Sequence, residues 1–165
     1  MGDGINALVV SSSLFLGRGL HPREADLIAG LIRETPSGRA VTCHECFVAR
    51  HAIESGQYNV VIIPFEWGED GDPYVRILDG LVAFRFLGKV LSSKGSKCPS
   101  EQPPLLVVYG WRREFLDDST MFGFAKIHNA HFVGEPNPVA LVGSILAERR
   151  ARKARVGGEQ DVQTH

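Results

Sequence analysis

Three stretches hold residues whose types and spacing could do chemistry. In "TCHECFVARH", residues 42–51, Cys43 and Cys46 form a C-x-x-C, with His44 and His51 beside them. A thiol at a helix N-terminus has a lowered pKa, which is how redox dithiols work; the competing reading is a cysteine buried and inert at a strand end. The four side chains number enough ligands for zinc. However, adjacent Cys43 and His44 would point apart, and structural zinc takes two separated ligand pairs. In the second stretch, Glu66, Glu69, Asp70 and Asp72 crowd one loop with Phe65 and Trp67. Its carboxylates are too closely spaced for an EF-hand cation loop. They read as a solvated acidic loop whose aromatics either form a binding surface or fold back over a neighbouring pocket. The third is "RRARKAR", 149–155, in which Arg149, Arg150, Arg152, Lys153 and Arg155 are basic. Cations in a last helical turn complement the helix dipole. The same run suits phosphate-backbone contact. His21, His128 and His131 show no partner spacing.

These residues must be positioned by five short apolar runs: residues 6–10, 39–43, 59–64, 104–110 and 130–134. The central runs are continuous in Val, Ile and Leu, as strands buried on both faces are. Helical spacing fills the gaps. Residues 22–34 open on Pro22 and place Ala25, Ile28, Leu31 and Ile32 on one face. Residues 47–55 stop at Gly56, 80–91 follow Asp79, 115–128 are interrupted by Gly123, and 138–155 stop before Gly157–Gly158. Strand and helix alternate five times. Right-handed crossovers then give an α/β fold, a five-stranded parallel sheet with helices on both faces, doubly wound and flavodoxin-like. The expected organisation is one domain over residues 1–156 and a disordered tail over 157–165.

A formal net charge of -1 makes the whole molecule no polyanion binder, so any such attraction needs a local patch. Three cysteines are an odd count and give no disulfide framework. The N-terminus has no basic segment ahead of an apolar one, and no run reaches a membrane span. A cytoplasmic protein is expected.

In an open α/β sheet, ligands bind beyond the carboxyl ends of the strands. Here those ends carry Ser11, Ser12, Pro64, Tyr109 and Glu135. "ALVVSSS", "YNVVIIP", "DGLVAFRFL", "LLVVYG" and "NAHFVGEPNPVALVGSIL" together resemble the receiver domains of bacterial response regulators, in order and approximate spacing, over roughly residues 5–148. The resemblance implies an acidic Mg²⁺-holding pair where this chain has Ser11 and Ser12. It implies a phosphoryl-accepting aspartate where Pro64 stands, a Thr or Ser at Tyr109 and a Lys at Glu135, with Glu135–Pro136 as a cis peptide. All the chemical positions differ. Phosphoryl transfer needs a nucleophile, a hard cation held by carboxylates and positive charge on the moving group. Proline cannot accept a phosphoryl group, and Glu135 would repel one.

The expectation is therefore a degenerate receiver: no enzyme, no metal, no cofactor. It would be a stand-alone adaptor with no output domain after the basic run. It would act through a protein partner or a second copy of itself. The resemblance implies that the partner face is that of the fourth helix, last strand and last helix, here drawing on Phe115, Phe122, His131 and Phe132. Two alternatives stay open. One is a thiol-dependent enzyme or redox protein using Cys43 and Cys46. The other is a nucleic-acid-binding regulator using the basic helix end 149–155.

Overall fold

The computed structural model describes residues 4–10, 22–43, 46–55, 58–64, 104–109, 130–133 and 137–163, with the helical positions Leu87, Lys89, Val90, Gly123 and Lys126. Strands β1 (Asn6–Val10), β2 (Arg39–Cys43), β3 (Val60–Pro64), β4 (Leu105–Tyr109) and β5 (Ala130–Val133) form one sheet in the order β2-β1-β3-β4-β5. Every pairing is parallel. This is the flavodoxin-like, doubly wound α/β order. Burial follows strand position. The described side chains of β3 and all of those of β4 are buried, as are four of the five in β1, whereas the edge strands β2 and β5 mix buried and part-exposed side chains.

Because strand side chains alternate faces, the sheet makes two cores. On one face Leu8, Val10, Val61, Ile63, Leu106 and Val108 meet Ala49 and Ile53 of helix α2 (Cys46–Ser55) and Leu87. On the other, Ala7, Val9, Val60, Ile62, Leu105 and Val107 meet helices α1 (Pro22–Glu34) and α3 (Pro138–Gln163). Helix α1 buries Ala25, Ile28, Ala29 and Ile32. Leu31 of the predicted face is only half-buried, because Ala29 takes the inner position.

Helix α3 starts at Pro138, where the helical spacing of 138–155 predicts. The Asn137 side-chain oxygen accepts from the amides of Val139 at 3.0 Å and Ala140 at 3.4 Å, and Pro138 fills the first helical position. Its end departs from expectation. The helix runs on through Gly157–Gly158 to Gln163, over most of the stretch read from sequence as a tail. Each glycine costs only about 1 kcal/mol relative to alanine in a helix, and neither one need stop it. The basic run 149–155 therefore lies within the helix and not at its end.

The amino-terminal edge of the sheet is closed by one asparagine. Asn59 accepts from the Asn6 amide through Oδ1 at 2.8 Å and donates through Nδ2 to the Gly4 carbonyl at 2.9 Å. Its backbone continues the ladder on both sides: its amide donates to Asn6 and its carbonyl accepts from Leu105, each at 2.9 Å. Beside it, the turn from α1 to β2 is tight. Ser37 has φ 57°, in the left-handed region that non-glycine residues seldom occupy.

Candidate functional site

At the carboxyl edge the structure describes two of the expected pocket positions, Pro64 and Tyr109, which face each other as the last pair of the β3–β4 ladder. The β1–β3 ladder stops earlier, at Val9–Ile62. Pro64 thus lies beyond the β1 ladder, where its missing N–H removes no bond to β1; a strand end is where a sheet tolerates proline. Tyr109 is buried at 3% exposure and packs with the α1–α3 core. Ser11, Ser12 and Glu135, the Glu135–Pro136 bond, Phe115 and Phe122, and the acidic loop with Phe65 and Trp67 lie outside the described residues. So do His21, His44 and His128.

The remaining residues of the expected partner face, His131 and Phe132, are neighbours on edge strand β5 and point to opposite faces. Phe132 packs, half-buried, against the core beneath α2. His131 turns to α3. Its Nε2 lies 2.8 Å from Ser144 Oγ, and its Nδ1 lies 3.8 Å from Glu148 Oε2. Glu148 Oε1 in turn accepts from Arg152 Nε at 3.0 Å and from Arg155 at 3.3 Å. In the Nδ1–H tautomer Nε2 accepts from the Ser144 hydroxyl; in the Nε2–H tautomer it donates to Ser144 Oγ. These partners were illegible in the sequence: Ser144 is 13 residues away on another element.

Ser144, His131 and Glu148 stand in the order of an acyl-transfer triad, so that chemistry must be weighed. Ser144 sits inside α3, whose interior amides are spent on helical bonds. Among the described residues, those amides leave no free pair of donors beside its oxygen to hold an oxyanion. In the structure the arrangement forms a polar strut between α3 and the edge strand. Burial lowers the His131 pKa from its ordinary value; Glu148 opposes this and Arg152 adds to it. Burial pushes Glu148 upward, but the Arg152 hydrogen bond and the charges of His131, Arg152 and Arg155 outweigh it and hold the carboxyl below its usual value.

A pH dependence follows from these directions. The unfolded chain takes up a proton on His131 near about pH 6.5, and the folded chain resists it. Stability from this group is complete above that value and is lost as pH falls toward the lower folded pKa. Glu148 adds a second loss at lower pH, as its carboxylate is protonated. The thermal midpoint should fall between about pH 7 and pH 5.5, and His131→Gln should flatten that segment. An unchanged slope in the variant would assign the loss to other groups.

Cys43 ends β2 with its side chain in the core beneath α2, at 5% exposure, and Cys46 opens α2. Attack by a thiolate requires access to the sulfur, which Cys43 lacks. Among the described residues no three His, Cys, Asp or Glu side chains converge as metal ligands.

The basic run lines a cleft at the amino-terminal edge of the sheet. The cleft holds about 660 Å³. It is lined by Gly4, Ile5, the Thr35–Ser37 turn, Asn59 and Leu105, and by Leu146, Arg149, Arg150, Arg152 and Lys153 of α3. Arg155 is not among the lining residues. This site was missed in the sequence because Asn59 and the turn read there as strand start and connection.

No family model matches the chain, and no curated protein does. Solved structures resemble it, two of which follow. One is a fusion carrying the yeast Spc42 trimeric coiled coil, amino acids 181–211; it aligns with TM-score 0.54 and 12% identity over 98% of this chain and 89% of that one. The other is a CheY-like response regulator receiver domain from Methanospirillum hungatei JF-1, with TM-score 0.49 and 14% identity over 91% of this chain and 99% of that one. At these identities the likeness concerns the fold alone. Among the described residues no helix is long and apolar enough to cross a membrane.

Proposed function

We propose that the chain is a phosphorylation-independent pseudo-receiver, a protein–protein interaction module that works as a signalling adaptor or regulator without catalysis. Pro64 carries this reading. It occupies the carboxyl end of β3 in a sheet of order β2-β1-β3-β4-β5, opposite a buried tyrosine. A nucleophile there would be needed for phosphoryl transfer, and a pyrrolidine ring supplies none. Without that input, only a ligand or partner with differential affinity can shift the domain between states. The first turn of α3 offers an exposed apolar group for such contact, Val139, at 67% exposure.

Two measurements test the proposal. Incubation with acetyl phosphate and Mg²⁺ should leave the intact mass unchanged; a phosphoryl adduct lost at alkaline pH would overturn it. A nuclease-treated pull-down from the native host should recover one protein, or a second copy of the chain, and Val139→Glu or Phe132→Glu should lose it while the far-UV spectrum stays native. Recovery that depends on nucleic acid would move the reading to the basic run. The adaptor reading would also fail if both variants retained the partner.

A further inference from the structure

Edge strand β2 carries a second proposal. The Arg39 amide donates to the Ile5 carbonyl at 2.7 Å, so the backbone of residue 39 points toward β1. Strand alternation then turns the amides and carbonyls of Ala40 and Thr42 outward, away from the sheet. The sheet order is β2-β1-β3-β4-β5, and among the described residues no strand pairs with β2 on its outer side. Its register with β1 runs unbroken from Arg39 to Cys43, with no bulge or proline to blunt the edge. Val41, at the centre of the strand, is 49% exposed. A regular edge with outward N–H and C=O groups is a template for another strand.

Charge narrows what can cover this edge. Arg33, in the last turn of α1, donates to the outward Ala40 carbonyl from Nη2 at 2.9 Å and from Nε at 3.3 Å. Its guanidinium thus occupies the acceptor that an incoming strand would need. Arg39 is exposed at the start of β2, on the opposite face from Ala40 by alternation. Among the described residues neither arginine is paired with a carboxylate. Cations therefore flank the edge on both faces of the sheet. A second copy of β2 would bring Arg39 again and no acid, since residues 39–43 hold no carboxylate. A carboxylate binds a guanidinium more strongly than a neutral carbonyl does, so an acidic segment can draw Arg33 off the Ala40 carbonyl and compensate for its loss. We propose that the β2 edge is a strand-addition site for an extended, acidic segment of a protein partner. The segment's backbone pairs with Ala40 and Thr42, an apolar side chain rests on Val41, and its carboxylates meet Arg33 and Arg39. In this mode main-chain bonds supply affinity and alternate side chains supply selectivity. The site lies at the opposite edge of the sheet from β5, so it is independent of the surface around Phe132 and Val139.

The test uses the full chain, isotope-labelled for amide NMR, and titrates a short capped peptide of alternating valine and glutamate against its valine–lysine counterpart. At low-millimolar concentration the glutamate peptide should shift the amides of Ala40 and Thr42 and slow their exchange, and the lysine peptide should not. Arg33 and Arg39 are both exposed, so variants there should keep the fold. Arg39→Glu should weaken the glutamate peptide by about threefold or more, the scale of an exposed ion pair turned into a repulsion. Arg33→Gln should narrow the preference for glutamate over lysine. Arg155→Glu, on α3, should change the affinity by less than about twofold, its effect being screened at distance. Val139→Glu should leave peptide binding as it is, whatever it does to the pull-down. Equal binding of the two peptides would overturn the proposal, as would unchanged exchange at Ala40 and Thr42 in the presence of the glutamate peptide. Protection of those amides that rises with protein concentration, without peptide, would put a second copy on the edge and overturn the choice of occupant.

Discussion

Gly38→Ala is expected to destabilise the protein by roughly 3–5 kcal/mol, the range in which strain with no room to relax places a single substitution. A Cβ at Gly38 would run into the Ile32 carbonyl oxygen and Thr35 Oγ1. Neither can move aside cheaply. The Ile32 carbonyl accepts from the Thr35 amide at 3.0 Å and from its hydroxyl at 2.6 Å, and the Thr35 carbonyl accepts from the Gly38 amide at 3.0 Å. Relief requires opening the end of α1 or shifting the start of β2, which pairs with β1 from Asn6–Arg39 onward. Gly30, within α1, is the matched control: a Cβ there meets nothing within 4 Å. Gly30→Ala should be neutral or stabilising by about 0.5–1 kcal/mol, through the helix propensity of alanine. Urea unfolding of the two variants reads the contrast directly. A Gly38→Ala midpoint within error of wild type would show that the turn can rearrange without cost.

Asn59→Ala should cost about 2–4 kcal/mol, because it removes two hydrogen bonds at once and deprives two part-buried backbone groups of these partners. The Asn6 amide loses its 2.8 Å acceptor, and the Gly4 carbonyl loses its 2.9 Å donor. The backbone bonds of residue 59 to Asn6 and Leu105 survive the change, so the register of β1, β3 and β4 should persist. The signature is a native-like far-UV spectrum with a lowered unfolding midpoint, and faster amide exchange at Asn6. A loss under about 0.5 kcal/mol, the ordinary range of surface substitutions, would mean that water replaces the side chain without penalty. Asn59 also stands on the wall of the basic cleft, so the variant loosens that wall while leaving its cations in place.

Much of the frame was legible in the residues because it is set by local pattern. Continuous Val, Ile and Leu runs marked the central strands, since a strand covered on both faces has no polar side to alternate with. Pro22 marked the start of α1, since the first helical turn is short-range chemistry. The Pro64 position at the end of β3 could also be read in advance, as could Cys43 in its bland form, a thiol in the core.

What tertiary structure alone decided is which groups distant in sequence come together. His131 appeared partnerless until α3 brought Ser144 and Glu148 across the edge strand. His131 and Phe132, grouped in one expected surface, were parted by the strand's own alternation once β5 was fixed between α3 and the core beneath α2. The five cations of 149–155 read as a helix end; four of them, all but Arg155, line a cleft because α3 continues to Gln163 and carries them past the sheet's amino-terminal edge beside Leu146. Residue types and local periodicity determine which elements form and which face each one buries. Where that face points after it leaves the core depends on the crossing of the helix over the sheet, a long-range packing outcome that local sequence does not encode.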